Sequence, residues 1–328
     1  MTPPRIIIRC PNWLGDLMMS LGFIEAVLQK YPQSQIDLIV KKGFESLSLP
    51  HRGEIIPYDR EKDTLISFSR GLRKKQYDFF YVLPPSFSSA LMAFLSGAKI
   101  RIGAKGEGRG FLFTKAKTPL TKDRSEHLLK EYLDLLDPPV SADVYVPRLQ
   151  NSPEWIQKNL PKYFSNYRSN EFIVLAPGAT FGPAKQWPVL SYKELAEKLS
   201  AHFDIFIMGS AQEKKMGEEI AGTNSKIKNL CGGTNLNEMI AILNESKLLI
   251  SNDSGAMHVM AALQKPQIAL FGSTSPVWTG PLNKNAEIIY LGLECSPCFK
   301  RVCPLTHTNC LNQISVEMVL NKIKKYIS

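Results

Sequence analysis

The sequence predicts an α/β protein built from two doubly wound domains in tandem. Three observations predict it. Short apolar strand signals alternate with helical stretches, which is the pattern of a parallel sheet covered by helices. The rhythm fades in a proline-rich middle segment and then restarts. The turns best suited to a ligand follow strand ends, where such folds bind their ligands. A chain of 328 residues is long enough for two domains and too long for one ordinary core.

In the first half, Ile6–Ile8 reads as a buried strand. Leu17, Leu21, Ile24 and Leu28 then recur on one helical face, and Tyr31-Pro32 stops that helix because proline cannot continue it. Ile36–Val40 and Tyr77–Leu83 are further strands, and a helix is expected around Ala90–Leu95. From Asp137-Pro138-Pro139 to about Arg168 the pattern weakens, with prolines at 147, 153 and 161. The interdomain connection belongs here, giving domains at 1–168 and 169–328. The second half reads Phe172–Ala176 (strand), a helix from about Tyr192, Phe203–Met208 (strand) and a helix after it. It continues with Leu236–Leu243 (helix), Leu248–Ser251 (strand), an apolar helix after Asp253 that Pro266 ends, and Ile268–Phe271 (strand). The closing helix, from about Ser315, carries Val316, Leu320, Ile323 and Ile327 on one stripe. Two such domains make the cleft between them the default ligand site.

Hydrophobic residues make up 44% and charged residues 21%, the mix of a globular chain rather than a disordered one. No apolar run approaches a membrane span, and Met-Thr-Pro-Pro-Arg lacks the parts of a signal peptide. A cytoplasmic protein is expected. The net charge of +10 is concentrated in the first half, where residues 1–170 carry 25 basic against 17 acidic side chains. Between Lys99 and Arg124, eight basic residues face two acidic ones. That stretch is either a docking face for a polyanion or a solvated basic loop.

The strongest local signal is Leu248–Leu263. A strand ends, the chain turns through Asn252-Asp253-Ser254-Gly255, and an apolar helix begins. Its first N–H groups lack helical partners and point outward with the positive end of the dipole, which suits a phosphate. Gly255 allows close approach and Ser254 adds a hydroxyl, although Asp and Ser are also ordinary helix caps. His258, one turn on, is as readily a structural hydrogen-bonder as a ligand contact.

A second loop, Ala176–Pro188, follows the first strand of the second domain and holds two glycines, three prolines and one cation, Lys185. A rigid loop presenting one ammonium suits a departing diphosphate. Met208-Gly209-Ser210-Ala211-Gln212-Glu213 ends another strand at the same edge. Glu213 there is either a ribose contact or a first-turn residue favoured by the dipole. In the first domain, Asp16 ends the run Arg9–Asp16 at the start of the first helix, and is a candidate general base. Gly103–Gly110 lacks both the Gly-x-Gly-x-x-Gly order and a convincing preceding strand, so no dinucleotide fingerprint is read there.

Together these runs resemble the ADP-heptose:lipopolysaccharide heptosyltransferases of glycosyltransferase family 9, over nearly the full length and most closely their type II members. The resemblance rests on Asn12-Trp13-Leu14-Gly15-Asp16, on Pro177 through Pro188, and on Asn252 through His258. Tyr81-Val82-Leu83-Pro84 with Ser86-Phe87 also fits type II. Phe181-Gly182-Pro183-Ala184-Lys185 separates type II from type I best. The resemblance implies a GT-B fold, two Rossmann-like domains facing a central cleft, with acceptor on the first and sugar nucleotide on the second. The final helix is implied to pack back onto the first domain. It implies inverting transfer of L-glycero-D-manno-heptose from ADP-heptose to the first heptose of the lipopolysaccharide inner core. The rivals within the class are a type I or a later heptosyltransferase.

By position, Asp16 matches the family's base and Lys185 its diphosphate lysine, with Thr180 nearby. Ser254 and Gly255 match the phosphate-binding helix start, Asp253 the residue near the donor sugar, and Glu213 the ribose contact after Gly209. His258 completes the donor set. No cofactor and no catalytic metal are implied. The acceptor is an anionic lipid, so the basic stretch becomes its candidate face, with Arg101 and Arg109 as candidate contacts. Peripheral contact with the cytoplasmic face of the inner membrane is implied, and nucleic acid is not. The rival from another class is a non-catalytic binder of anionic lipid or nucleic acid.

Of six cysteines, Cys295, Cys298, Cys303 and Cys310 lie within sixteen residues. Their spacing resembles a four-thiolate zinc or iron–sulfur set with His307 spare, but matches no common finger. Reduced or paired thiols are ranked above a bound metal.

Overall fold

The computed structural model describes residues 2–120, 123–142, 144–164 and 167–327; Lys122 of the basic run lies outside them. The chain divides into two compact units, Met1–Gln150 and Asn151–Ser328.

The first unit contains strands β1 (Ile6–Arg9), β2 (Ile36–Lys41), β3 (Ile55–Tyr58), β4 (Phe79–Val82), β5 (Ile100–Ala104) and β6 (Lys115–Lys117). Its helices are α1 (Leu14–Lys30), α2 (Leu65–Leu72), α3 (Phe87–Leu95) and α4 (Leu128–Leu133). All neighbouring strands pair in parallel, in the order β3-β2-β1-β4-β5-β6. β1 is buried along its whole length, as a strand covered on both faces must be. The brief β3, β5 and β6 carry too little apolar alternation to stand out in the sequence. Gly103 therefore does sit in a strand, contrary to expectation, and the ring of Phe113 would lie 2.5 Å from a Cβ there. That glycine makes room for packing.

The second unit contains β7 (Phe172–Ala176), β8 (Asp204–Ile207), β9 (Ile227–Asn229), β10 (Leu248–Asn252), β11 (Gln267–Phe271) and β12 (Ala286–Tyr290). Its helices are α5 (Pro153–Asn159), α6 (Val189–Leu199), α7 (Lys214–Ala221), α8 (Leu236–Glu245), α9 (Gly255–Ala262), α10 (Pro276–Thr279), α11 (Asn309–Asn312) and α12 (Val316–Ile327). The strands are again parallel, in the order β12-β11-β10-β7-β8-β9. Counted from its own first strand, this sheet repeats the order of the other one. The order is that of a dinucleotide-type, Rossmann-like sheet.

The order fixes where ligands go. The connection reverses between β1 and β4 in the first unit and between β7 and β10 in the second, and the crevice beyond those strand ends is the binding position. Asp16 lies just past β1, and Pro84 to Ser86 just past β4. Lys185 lies past β7, and Asp253 to Gly255 just past β10.

The described residues between 151 and 168, expected to close the connection, belong to the second unit. α5 lies on α8, and the buried Phe164 ring stands 5.3 Å from Phe172 and 4.6 Å from Phe206. Scattered anchors, among them the buried Ile156 and Phe164 and the Tyr167 ring against Phe172 and Phe206, secure a mainly polar segment. The closing helix, expected to pack back onto the first domain, buries Val316, Val319 and Ile323 in the core of its own unit against α6 and β11.

Glu287 on β12 fastens the polar face of α12, accepting from Lys325 at 2.8 Å and Lys322 at 3.1 Å. These ammonium groups, Lys325 first, hold the Glu287 carboxyl below the usual glutamate range. A lowered carboxylate contributes stability above its unfolded pKa and loses it as pH falls through the folded value. Glu287→Gln is therefore expected to lower the urea midpoint at pH 7, with the deficit vanishing toward pH 3. A deficit independent of pH would contradict the ionic origin.

Candidate active site

In the second unit the loop between β7 and α6 is fastened at both ends by one side chain. The amide of Asn252, wholly buried at the end of β10, donates to the Pro177 carbonyl at 2.6 Å. Its oxygen accepts from the Trp187 backbone N–H at 3.0 Å and from the Tyr192 hydroxyl at 3.2 Å. The buried Trp187 indole in turn donates to the Ile314 carbonyl. Midway, Ala184 N–H donates to the Arg301 carbonyl, and a Cβ at Gly182 would stand 2.5 Å from that same oxygen. Gly182 also has φ +153°, which favours glycine.

This loop delivers Lys185 to Asp253. The ammonium lies 2.5 Å from Asp253 Oδ2, with side chains 13% and 4% exposed. The same oxygen accepts from the Thr274 hydroxyl at 2.6 Å, and His258 Nε2 stands 3.8 Å from Oδ1. Lys185 and Arg301 both lie over the Phe181 ring, at 4.9 and 5.4 Å from its centroid. A nearly buried carboxylate needs such partners. Thr274 and Arg301 were not singled out in the sequence. Thr274 follows β11 and Arg301 lies in the C-terminal loop, and only the fold brings them here.

Ser254 occupies the N-cap position of α9, yet its side chain makes no cap hydrogen bond. Its buried hydroxyl has no partner. Residues Ser254, Gly255 and Ala256 are partly exposed while His258 is buried. The helix start is thus accessible and uncapped by its serine, which separates it from α3 and α5, capped by Ser86 and Ser152.

Glu213 serves first as a structural group. It closes a capping box, its Oε2 accepting from the Ser210 N–H at 2.6 Å and the Ser210 hydroxyl at 2.9 Å. The box orients Oε1 toward Gly178, where a Cβ would come within 1.7 Å of that oxygen, and Gly209 is likewise pressed by Oε2. Both glycines make room for this carboxylate. Thr180 is exposed on the neighbouring loop.

In the first unit a cavity of about 180 Å³ is lined by Pro11, Asn12, Trp13 and Asp16 after β1, Pro84 to Ser86 after β4, and by Arg60 and Tyr132. Asp16 lies in the first turn of α1, where the dipole favours its charge. Burial, and then the nearby Asp16 charge, push the Tyr132 phenol well above its ordinary value. Asn12 is placed by Arg9, which is 1% exposed and donates to Asn12 Oδ1 at 2.5 Å and to the carbonyls of Cys10 and Ile39. Burial lowers that guanidinium to about 10.

Arg101 and Arg109 are occupied by their own segment. Arg101 donates to the carbonyls of Leu112 and Ala98, and the buried Arg109 donates to that of Ala104. Cys295, Cys298, Cys303 and Cys310 are all free thiols. Burial, and then the other three thiols, raise the Cys310 pKa. Among the described residues no group of three or more His, Cys, Asp or Glu side chains is arranged to hold a metal ion.

The family model for glycosyltransferase family 9 (heptosyltransferase) matches residues 65–309, and the chain belongs to that family. It is 34% identical over 312 residues to lipopolysaccharide heptosyltransferase 2 of Escherichia coli, covering 88% of each chain. Lipooligosaccharide heptosyltransferase 2 of Haemophilus ducreyi is also 34% identical, over 88% of each chain. Among solved structures, the Escherichia coli ADP-heptose lps heptosyltransferase II has a TM-score of 0.84 at 31% identity, covering 98% of both chains. A family 9 glycosyl transferase of Veillonella parvula shares the fold, with a TM-score of 0.83 at 21% identity, over 98% of this chain and 97% of that one. The two Rossmann-like sheets are those of the GT-B class.

Removing a capping serine costs about 1 kcal/mol. Ser254→Ala is expected to leave the unfolding free energy within about 0.5 kcal/mol of wild type, because no cap bond is lost. A full capping loss in urea unfolding would return Ser254 to a structural role.

Proposed function

We propose that the chain is an inverting glycosyltransferase that moves L-glycero-D-manno-heptose from ADP-heptose onto the first heptose of the lipopolysaccharide inner core. The observation that carries this reading is the nearly buried Lys185 beside an uncapped helix start, on the crevice of a family 9 sheet. A cation and a row of unpaired N–H groups suit the charge that develops on a departing diphosphate. The relatives named heptosyltransferase 2 supply the sugar and the acceptor.

In this mechanism Asp16 takes the proton from the acceptor hydroxyl as its oxygen attacks the anomeric carbon. The bond from that carbon to the diphosphate breaks on the opposite face, inverting the centre. Lys185 and the start of α9, with Ser254 and Gly255, receive the charge on ADP. Asp253 stands by the sugar and holds Lys185 in place. Glu213 accepts from the ribose through Oε1, and Thr180 adds a hydroxyl beside the diphosphate. Arg60, in the wall of the Asp16 cavity, offers a cation to the anionic acceptor. The acceptor is lipid-linked, so the enzyme works in the cytoplasm at the face of the inner membrane. No helix among the described residues is long and apolar enough to cross a membrane.

The reading is tested with ADP-heptose and core lipid carrying zero, one or two heptoses. Transfer is expected to the one-heptose acceptor, and activity confined to the heptose-free acceptor would assign the chain to type I chemistry instead.

Asp16→Asn is expected to lower kcat by roughly 10²–10⁴-fold with ADP affinity near normal. Lys185→Ala is expected to weaken ADP binding by about 10–100-fold and to slow turnover as well. Calorimetric titration of ADP separates the two variants, and unchanged affinity in Lys185→Ala would sink its assignment to the leaving group.

A further inference from the structure

The helix α3 buries a small apolar face but leaves its two largest side chains on the surface. It buries Ser89, Ala90, Met92 and Ala93 and turns Phe87 and Phe94 outward, 45% and 47% exposed. These phenylalanines are seven residues apart, hence on one face. The stripe continues onto a short turn, Arg109–Leu112, that packs on α3. There Phe111 is 74% exposed, its ring centroid 6.5 Å from that of Phe87. The exposure is built in. Arg109 is buried and donates to the Ala104 carbonyl, and Leu112 is buried beside it, so the turn is anchored on both sides of Phe111.

Two cations flank the stripe. The Arg101 guanidinium stands 5.5 Å over the Phe94 ring. Lys105 is exposed and forms no ion pair among the described residues. The stretch from Lys99 to Arg124 holds the largest basic excess of the chain. A contiguous aromatic patch with flanking cations matches an anionic bilayer surface, where rings enter the interface and cations meet the headgroups.

We propose that Phe87, Phe94 and Phe111, with Arg101 and Lys105, form the surface by which the first unit docks on an anionic lipid membrane. The proposal rests on the reading of a lipid-linked acceptor. It gives Arg101 and Lys105 a role at the bilayer, beside the cavity that Pro84 to Ser86 line.

The test is flotation of the full chain with vesicles of phosphatidylethanolamine and phosphatidylglycerol, against phosphatidylcholine alone, with no acceptor present. Wild type is expected to float with the anionic vesicles only. Phe94→Ser/Phe111→Ser and, separately, Lys105→Glu are expected to reduce the bound fraction by about fivefold or more, with thermal melting unchanged. Wild-type flotation equal on both vesicles, or a double variant that binds as wild type, would overturn the proposal. So would a wild-type dimer in light scattering that dissolves in the double variant while vesicle binding stays absent. Heptose transfer to a delipidated, water-soluble acceptor should be equal in wild type and the double variant. Its absence in wild type would defeat the functional reading while leaving the flotation result to stand by itself.

Discussion

The buried side-chain amide of Asn252 is the contact on which the second unit's site depends. Its nitrogen holds the loop where it leaves β7, and its oxygen holds the loop where it enters α6. The residues between Pro177 and Trp187 are thereby an arch with two fixed feet. Lys185 sits two residues before one foot, and Asp253 directly follows the amide that binds both. An aspartate could not donate to the Pro177 carbonyl, and a hydrophobic residue would leave three buried polar groups unpaired. The geometry between ammonium and carboxylate is inherited from this single hub.

Much of the fold was legible because the fully buried central parallel strands are almost wholly apolar. Phe172–Ala176 was readable residue for residue, and β1 and β10 nearly so. β3, β5, β6, β9 and β12 are not legible in the same way, since each mixes half-buried or exposed residues into its pattern. The domain boundary failed for a related reason. Residues 151–168 are polar as a run, and the few side chains that dock them, Ile156 and Phe164, leave no periodic mark.

The site was legible at the level of which loops matter and less so at the level of atoms. Asp16, Lys185, Glu213 and Ser254 stand at strand ends because the topology puts ligands there. Their pairing could not be read from spacing. Lys185 and Asp253 are 68 positions apart, and Thr274 and Arg301 arrive from other connections. For Ser254 the sequence leaves two roles open, and the hydrogen bond that the capping role requires is absent. For Glu213 the roles are not exclusive, because capping uses one oxygen and aims the other. Charge alone marks Arg101 and Arg109 in the sequence, and it does not reveal that each guanidinium also donates to the backbone of its own segment.

The two sheets share one strand order, yet the segment after the first strand carries Asp16, in the first turn of α1, in one and Lys185 in the other. One scaffold is thus used twice with reversed electrical sign. In the proposed mechanism, an anion leaving one crevice and a proton leaving an alcohol at the other are complementary demands, each met by a side chain outside the sheet. On that proposal the division of labour between the halves belongs to the segments that follow the first strands, not to the strands themselves.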